Sequence, residues 1–460
     1  MLNFFIIDKV VSYLTTNKDI LALVSINRET NSYRNCIRYN DFPLNYYCKH
    51  LSKYIPNSFK YIRIKNMAHY KIVFKEFDIT DQQAQNNSNS NSNDNGYYRK
   101  YPNQQRFNIL TLNLKDASFD LKYLPYGINT LWLCYNFNRQ WDSMFFPETL
   151  GTLHFGYQFD QDILPGLLPQ SLTDLAFGYM FDKVLKPNSL PENLKSLVFG
   201  YAYNQPLAVD VLPLSLETLK FGESFNQKII EKSLPENLLR LWFHKDFNQP
   251  LTDGILPMSL MELKFGDAFN QPMNLHLPPH LKKLIFGHDF DQLLQPGLLP
   301  ESLTDLEFGM KFDKPITVGV LPRSLKELSF GLNFDQPILP GTLPDSITEL
   351  EFGLTFNQEI SVGVLPKNLC ILRFDEGFDK PFQPGSLPDS LIELSLNGYF
   401  NQPLEPGILP PNLKILKLGY IYSHPLISGS LPNSLSELQF SKRFHINPSV
   451  LPKNIKLISY

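Results

Sequence analysis

A unit of 22 residues recurs along most of this 460-residue chain. Fifteen copies begin at Leu124, Phe146, Leu168, Leu190, Leu212, Leu234, Leu256, Leu277, Leu299, Leu321, Leu343, Leu365, Leu387, Leu409 and Leu431. Every step between copies is 22 residues, except the step from Leu256 to Leu277, which is 21. A fixed period of this length is typical of a solenoid, in which each coil packs only on its neighbours. The period therefore takes precedence over any division of the chain into ordinary globular domains.

The pattern inside the unit predicts one short strand per coil. Position 8 is Leu in every copy, and position 10 is Phe in twelve copies and Leu in three. Positions 7 and 9 vary, so apolar and variable residues alternate as they do in a strand with one buried face. Position 2 is Pro throughout, and proline has no N–H to give to a central sheet. We therefore predict a mainly β fold, a curved parallel β-solenoid with 22-residue coils.

The remaining fixed positions predict how the coils are held together. Position 4 is Ser, Thr or Asn in thirteen copies and is expected to fix a turn, while position 11 is Gly in ten copies, where we expect the strand to end in a turn. Position 14 is always Phe or Tyr and is predicted to stack inside the solenoid. Position 15 is Asn or Asp in thirteen copies, and its side-chain oxygen is predicted to accept backbone N–H groups of neighbouring coils.

The consensus L-P-x-S-L-x-x-L-x-F-G-x-x-F-N-Q-P-L resembles the FNIP repeat, which is named for its Phe-Asn-Ile/x-Pro core. The stretches that start at Phe225, Phe269 and Phe400 carry this core almost letter for letter, and the resemblance covers residues 124–450. The FNIP family is similar to leucine-rich repeats and is known mainly from social amoebae and from giant viruses of amoebae. The resemblance implies a leucine-rich-repeat-like solenoid, and it brings no assigned catalysis or ligand.

A different pattern occupies residues 1–45. Apolar residues at spacings of three and four predict a first amphipathic helix, and Asp19 is a favourable start for a second. One interpretation is a small helical cap that covers the first coil. The other is an F-box, because residues 7–28 resemble that three-helix module, which binds the adaptor of a cullin-RING ubiquitin ligase. The residues of the F-box-like surface are Val10, Tyr13, Leu14, Ile20, Leu21 and Ile26.

Two departures from the F-box pattern keep the helical cap open as an alternative. The usual Leu-Pro opening is replaced by Leu2-Asn3, and Thr30 stands where a tryptophan commonly begins the third helix.

A connector, residues 46–123, joins this module to the fifteen repeats of residues 124–450. Ile55–Ile64 fits the repeat in degenerate form, and Leu110–Leu114 alternates like a strand. The Asn/Ser-rich run at 82–95 has nothing to bury and is predicted to be disordered, inside an insertion at residues 66–105. Residues 451–460 form a truncated terminal repeat.

Composition restricts the classes of partner and the compartment. The net charge is −3 and 19% of residues are charged, so no global field favours nucleic acid or a membrane surface. The four cysteines show no C-x-x-C pairing and are expected to be reduced thiols. The N-terminus is a poor signal peptide, and no apolar run approaches transmembrane length. We expect a cytoplasmic protein without a cofactor or a metal site.

The variable positions 7 and 9 are the candidate binding surface, because their side chains point away from the core. We expect them to lie on the open, concave face of the sheet, where solenoids bind partners. A basic and aromatic stretch is followed by an acidic one, and exposed Trp and Arg are common in interface hot spots. The alternative is a face that is merely soluble. The candidate partner-binding residues are Trp132, His154, Lys220, Arg240, Trp242, Lys264, Lys283, Asp305, Glu307, Glu327, Glu349 and Glu351.

Three functions are consistent with the sequence. The favoured one is a protein–protein interaction solenoid, which would recruit substrates to a ubiquitin ligase if residues 1–45 are an F-box. The second is a plain interaction scaffold with a helical cap. The third, less favoured, is a carbohydrate-active enzyme, because carboxylates on adjacent strands stand about 5 Å apart, as in a retaining glycosidase. No insertion forms a pocket beside Asp305–Glu351, so we expect no enzyme activity.

Overall fold

The computed structural model of the chain describes residues 58–64, 108–114, 124, 128–140 and 146–460. The predicted helical module at residues 1–45, with its F-box-like surface, lies outside the described residues. The same holds for the Asn/Ser-rich run at 82–95 and for the insertion at 66–105.

Short strands follow one another along the described part of the chain, one in each coil. In the first part they are β1 (Ser58–Ile64), β2 (Asn108–Leu114), β3 (Thr130–Trp132), β4 (Thr152–His154), β5 (Asp174–Ala176) and β6 (Ser196–Val198). Then come β7 (Thr218–Lys220), β8 (Arg240–Trp242), β9 (Glu262–Lys264), β10 (Lys283–Ile285), β11 (Asp305–Glu307) and β12 (Glu327–Ser329). The last are β13 (Glu349–Phe352), β14 (Ile371–Phe374), β15 (Glu393–Leu396), β16 (Ile415–Leu418), β17 (Glu437–Phe440) and β18 (Lys456–Ser459). Within the described ranges, the one helical turn is a 3-10 turn at Pro448–Val450.

The chain divides into two units, one ending at Tyr201 and the other running over Ala202–Tyr460. In unit 1, β1 to β6 pair in sequence order, each parallel to the next. In unit 2, β7 to β18 do the same. Equivalent repeat positions pair directly, as Leu306 does with Leu284 and Leu328. The predicted parallel β-solenoid with coils of about 22 residues is confirmed.

The centre of each strand is buried and its flanks point outward. Leu306 is 2% exposed, whereas Asp305 and Glu307 on either side are in contact with solvent. The leucines at position 8 of all fifteen copies are at most 2% exposed. Burying each such side chain contributes about 1.5–3 kcal/mol, so this row is a continuous source of stability.

Aromatic rings form two columns behind the strands, at positions 10 and 14. Phe308 stacks on Phe312 of the same coil with ring centroids 3.9 Å apart, and Phe312 stacks on Phe290 and Phe334 of the adjacent coils at 6.1 and 6.0 Å. The predicted inward stacking of position 14 is therefore confirmed. Because every ring packs on the next coil, a coil gains much of its burial from its neighbours.

The predicted hydrogen bonds from position 15 to the neighbouring coil are also present. In unit 2 the side-chain oxygen of Asn226 accepts the backbone N–H of Asn248, one coil further on, at 3.0 Å. The bond recurs at 2.9–3.0 Å from Asn204 to Ser423 in unit 2, and from Asn138 to Asp182 in unit 1. Glutamine at position 16 adds a second donor to the same oxygen, as Gln249 does to Asn226 at 3.0 Å.

The hydroxyl groups at position 4 join coils, whereas the sequence had suggested that they fix turns within a coil. The Ser302 hydroxyl donates to the carbonyl of Leu281 in the preceding coil at 2.7 Å, and Ser324 donates to Leu303 in the same way. Equivalent bonds are made by Ser171, Ser259, Ser346, Ser390 and Ser434.

The predicted turn at position 11 is present, because β11 ends at Glu307 and the Phe312 N–H donates to the Gly309 carbonyl at 3.2 Å. The preference for glycine there has a further cause. A Cβ added to Gly309 would lie 1.6 Å from the carbonyl oxygen of Gly287 in the preceding coil. Glycine is therefore needed here because the two backbones approach closely. The residue with positive φ is at position 21 instead, as in Gly297 at 83° and Asn188 at 64°.

Candidate functional site

In each unit, the outward side chains at positions 7 and 9 form what we call its strand face, on β3–β6 in unit 1 and on β7–β17 in unit 2. All twelve predicted partner-binding residues lie on a strand face. Each is the first or the third residue of its strand, on either side of a buried second residue. Trp132 and His154 lie in unit 1, and the other ten residues lie in unit 2.

In unit 1 the Trp132 and His154 rings are paired in register and stacked, with centroids 3.6 Å apart and planes 10° apart. Trp132 remains 42% exposed despite this contact. Burial lowers the pKa of His154, and the charge of Asp174 opposes this only in part. The imidazole is therefore neutral at pH 7 and acts here as an aromatic surface.

In unit 2 the basic stretch is built around one tryptophan. Lys220, Trp242 and Lys264 are in register at position 9 of β7, β8 and β9. The Lys220 ammonium lies 3.5 Å from the centre of the Trp242 ring, a cation–π contact. The indole Nε1 of Trp242 is buried and has no hydrogen-bond partner. Lys220 thus covers one face of the Trp242 ring.

The row at position 7 is less uniformly basic than its lysine and arginine residues suggested. Arg240 and Lys283 flank Glu262 in register, and the Arg240 Nε lies 3.8 Å from the Glu262 carboxylate. Glu262 therefore offsets part of the positive charge at position 7, whereas Lys220 and Lys264 flank the uncharged Trp242 at position 9.

The acidic stretch occupies three consecutive strands, β11, β12 and β13. Asp305, Glu327 and Glu349 follow one another in register at position 7, while Ser329 separates Glu307 from Glu351 at position 9. Burial raises the pKa of Glu327, and repulsion from Asp305 and Glu349 raises it further. Like charges on adjacent strands normally destabilise a sheet, so this arrangement is not explained by the fold.

Cations stand only at the two ends of the acidic stretch. Lys283 precedes Asp305 in register, and Arg373 follows Glu351. Arg373 already contacts Glu349 at 3.4 Å and Glu393 at 3.8 Å. Among the described residues, the carboxylates that make no ion pair within 4.0 Å include Asp305, Glu307, Glu327 and Glu351.

A shallow depression of about 110 Å³ lies over these carboxylates, between Lys283 and Arg373. Sites for small molecules are usually clefts of about 300–1,000 Å³. The depression is large enough for the head of one side chain, and it is too small to enclose a sugar chain.

Neither a metal site nor a membrane span is found in the part of the chain that the structure describes. There, no group of three or more His, Cys, Asp or Glu side chains is arranged to hold a metal ion. No helix within the described ranges is long and apolar enough to cross a bilayer.

Two rows of side chains at position 12 were not predicted as binding surfaces, because only positions 7 and 9 were considered. In unit 1 this position is tyrosine in four consecutive coils, Tyr135, Tyr157, Tyr179 and Tyr201. In unit 2, Met310, Leu332 and Leu354 occupy it in the three coils that carry the acidic stretch, and Met310 and Leu354 are exposed. Both rows could have been found in the sequence, because each is a run of similar residues at one repeat position.

Short parallel strands, one in each coil of about 22 residues, with a leucine row behind them, define a β-solenoid of the leucine-rich-repeat type. Within that class the chain belongs to the FNIP repeat family, since the model described as FNIP Repeat matches it from residue 137 to residue 459. The matched segments are 137–180, 181–224, 225–267, 247–289, 269–311, 290–333, 334–377, 378–421 and 422–459.

One solved structure agrees with a solenoid of the leucine-rich-repeat type. The chain is similar to CroV588, which is described as a novel circular LRR protein, with 36% identity over 76% of the chain and a TM-score of 0.73. The match spans 56% of CroV588. YopM from Yersinia enterocolitica WA-314 matches with 22% identity over 76% of the chain and 86% of its own length, with a TM-score of 0.42.

A leucine-rich repeat protein from Bacteroides ovatus ATCC 8483 matches with 13% identity over 77% of the chain and 86% of its own length, with a TM-score of 0.21. No curated protein matches the chain. The FNIP family and the solenoid of leucine-rich-repeat type are consistent with protein–protein interaction.

Proposed function

We propose that the strand face of unit 2 binds a protein partner by complementary charge. The partner presents a cationic patch to the acidic stretch of β11–β13 and an anionic patch to Lys220 and Lys264. The observation that carries this proposal is the in-register row Asp305, Glu327 and Glu349, three carboxylates on adjacent strands with cations only beyond the ends of the stretch.

The acidic stretch supports binding because its repulsion is only partly compensated, by Arg373 at Glu349 and by the charge of Lys283 near Glu327. Burial and two neighbouring carboxylates raise the pKa of Glu327, so ionising this carboxyl costs more free energy in the folded protein than in the unfolded chain. A lysine or arginine head in the depression above it would relieve that repulsion. Complementary charge of this kind provides specificity and a fast association rate more than raw affinity.

An apolar row in the same coils adds contact area. Met310, Leu332 and Leu354 lie at position 12 of the three coils that carry the acidic stretch, three residues after position 9. Methionine and leucine side chains at a surface provide adaptable apolar contacts. The partner therefore carries apolar side chains next to its cationic ones.

The basic stretch provides the second anchor. Trp242, with Lys220 over its ring, combines a rigid aromatic surface with a fixed positive charge. Tryptophan and arginine are enriched among the residues that dominate binding energy at interfaces. An anionic patch of the partner pairs here with Lys220 and Lys264.

A protein partner fits this surface better than a sugar substrate does. The carboxylates line an open depression of about 110 Å³, which does not enclose a substrate or exclude water. An extended face of variable side chains on regular strands is instead the kind of surface that solenoids use for proteins.

A decalysine peptide with a fluorescent label tests the acidic half, with binding followed by anisotropy at low salt. We expect the double variant Glu327→Gln/Glu351→Gln to weaken binding at least about fivefold, as expected for the loss of two charge contacts. The control is Glu231→Gln/Glu359→Gln, which removes the same charge from exposed positions 20 and 17. An equal loss in both double variants, or in neither, would contradict the proposal.

The ligase adaptor is a second, separable proposal, and its support is the resemblance of residues 7–28 to an F-box. In this proposal residues 1–45 bind the adaptor of a cullin-RING ligase, and the strand face recruits the substrate. The test compares the full chain with a chain lacking residues 1–45 for retention of the purified adaptor. Retention by the full chain alone supports it. No retention by either chain refutes the ligase link and leaves strand-face binding untouched.

A further inference from the structure

Four tyrosines form a continuous stack on the surface of unit 1. Tyr135, Tyr157, Tyr179 and Tyr201 have successive ring centroids 4.5, 4.4 and 4.4 Å apart, with planes within 11° of parallel. Tyr135 is 59% exposed and Tyr179 is 37% exposed. We call these residues the tyrosine ladder. They lie at repeat position 12, so they are not part of the strand face.

Because neighbouring rings cover the inner ring faces, the exposed area of the ladder lies mainly at the ring edges. Tyr157 lies between Tyr135 and Tyr179, and Tyr179 lies between Tyr157 and Tyr201. A sugar ring or a nucleic acid base stacks on an open aromatic face, and these two residues have none to offer. The edge of an aromatic ring carries partial positive charge, and a phenol can donate a hydrogen bond.

A matching ligand therefore offers hydrogen-bond acceptors in a regular row. The polyproline II helix meets this requirement, because its backbone makes no internal hydrogen bonds and proline has a carbonyl but no N–H. Its electrostatic surface of carbonyl oxygens complements the positive edges of the ladder. Apolar contact is available as well, since Met180 beside the ladder is 46% exposed.

The two repeats also have matching lengths. One turn of a polyproline II helix takes three residues and rises about 9.3 Å. Two steps of the ladder, from Tyr135 to Tyr179 or from Tyr157 to Tyr201, cover roughly 9 Å. Residues three apart in the helix thus meet alternate tyrosines in equivalent geometry.

We propose that the tyrosine ladder binds a proline-rich segment of a partner protein in the polyproline II conformation. The whole ladder is roughly 13 Å long, which spans about four or five residues of such a helix. The contact is small, so the dissociation constant for an isolated peptide lies between about 10 μM and a few mM. Aromatic surfaces are the general means by which proteins hold proline-rich segments.

The test uses the full chain and two probes, a decaproline peptide and a Gly-Ser peptide of the same length, titrated by isothermal calorimetry. The variant Tyr135→Phe/Tyr157→Phe keeps the stacked rings and removes two adjacent hydroxyl groups. The control is Tyr420→Phe, because Tyr420 is exposed at position 12 of unit 2 and has Gly398 and Lys442 at that position in the adjacent coils. A circular dichroism melt of each variant verifies that the fold is retained.

We expect saturable binding of decaproline, at least tenfold weaker binding of the Gly-Ser peptide, and a loss of about fivefold or more in the double variant alone. The proposal is overturned if decaproline does not bind at millimolar concentration, or if the Gly-Ser peptide binds equally well. It is also overturned if the double variant binds decaproline as tightly as the Tyr420→Phe control.

Discussion

The side-chain oxygen of Asn226 accepts two hydrogen bonds from the next coil, one from the backbone N–H of Asn248 and one from the side chain of Gln249, both at 3.0 Å. One repeat position therefore satisfies a partly buried backbone donor and a side-chain donor of its neighbour. A substitution at this position weakens the joint between two coils and leaves each coil's own core intact.

Asn226→Ala is predicted to lower the free energy of unfolding by about 1–3 kcal/mol, because the N–H of Asn248 loses its partner. Asn226→Asp retains the acceptor and is expected to cost less than half as much. The control is Asn333→Ala, at an exposed position of unit 2. Urea denaturation measures all three variants, and an Asn226→Ala variant no less stable than the Asn333→Ala control would refute the role of the position 15 hydrogen bonds.

Gly309→Ala is predicted to destabilise the solenoid by about 3 kcal/mol or more, because its Cβ would collide with the carbonyl oxygen of Gly287. Gly297→Ala serves as the comparison, since its Cβ meets open space and the cost is that of a positive φ alone, about 1 kcal/mol. Urea midpoints of the two variants test the difference. Equal shifts would show that neighbouring backbones separate easily at position 11.

Glu327→Gln is predicted to raise the melting temperature at pH 7. The raised pKa of Glu327 means that the folded protein binds its proton more tightly than the unfolded chain does. Its contribution to stability is therefore fully present below the unfolded value of 4.5 and is lost as the pH rises through the folded pKa. The advantage of the variant should vanish below about pH 4.

The matched control for this pH dependence is Glu359→Gln, in the coil that carries Glu349 and Glu351 but at exposed position 17. Melting curves between pH 3 and pH 8 compare the two variants with the unmodified protein. A Glu327→Gln advantage that persists unchanged at pH 3 would mean that repulsion among the carboxylates is not its cause.

The sequence was sufficient to predict the architecture, because each inward position repeats fifteen times. Leu306 and Phe308 alternate with polar residues, so the strand and its buried side followed from periodicity alone. The close backbone contact that favours glycine at Gly309 could not be predicted, because the residue pattern of one coil does not reveal the distance to the backbone of the next coil. The predicted turn does begin at Gly309, whereas the residue with positive φ lies at position 21.

The candidate site was only partly predictable. The position of Glu327 on the strand face followed from the alternation of side chains, and its neighbours at Asp305 and Glu349 followed from the period. The ion pair of Arg240 with Glu262 and the cation–π contact of Lys220 with Trp242 depend on rotamers, which sequence does not specify. The tyrosine ladder could have been recognised in the sequence as four consecutive tyrosines at position 12. It was missed because that position lies outside the strand.

Affinity purification from the source cells, with quantitative comparison of variants, tests strand-face binding most directly. The baits are the unmodified chain, Lys220→Glu/Glu349→Lys on the strand face, and Lys228→Glu/Glu359→Lys, which places the same changes in the same two coils at exposed position 17. We predict a partner protein that is retained by the unmodified chain and by the position 17 variant, and that is depleted at least tenfold by the strand-face variant. Equal recovery of every partner by all three baits would contradict the account.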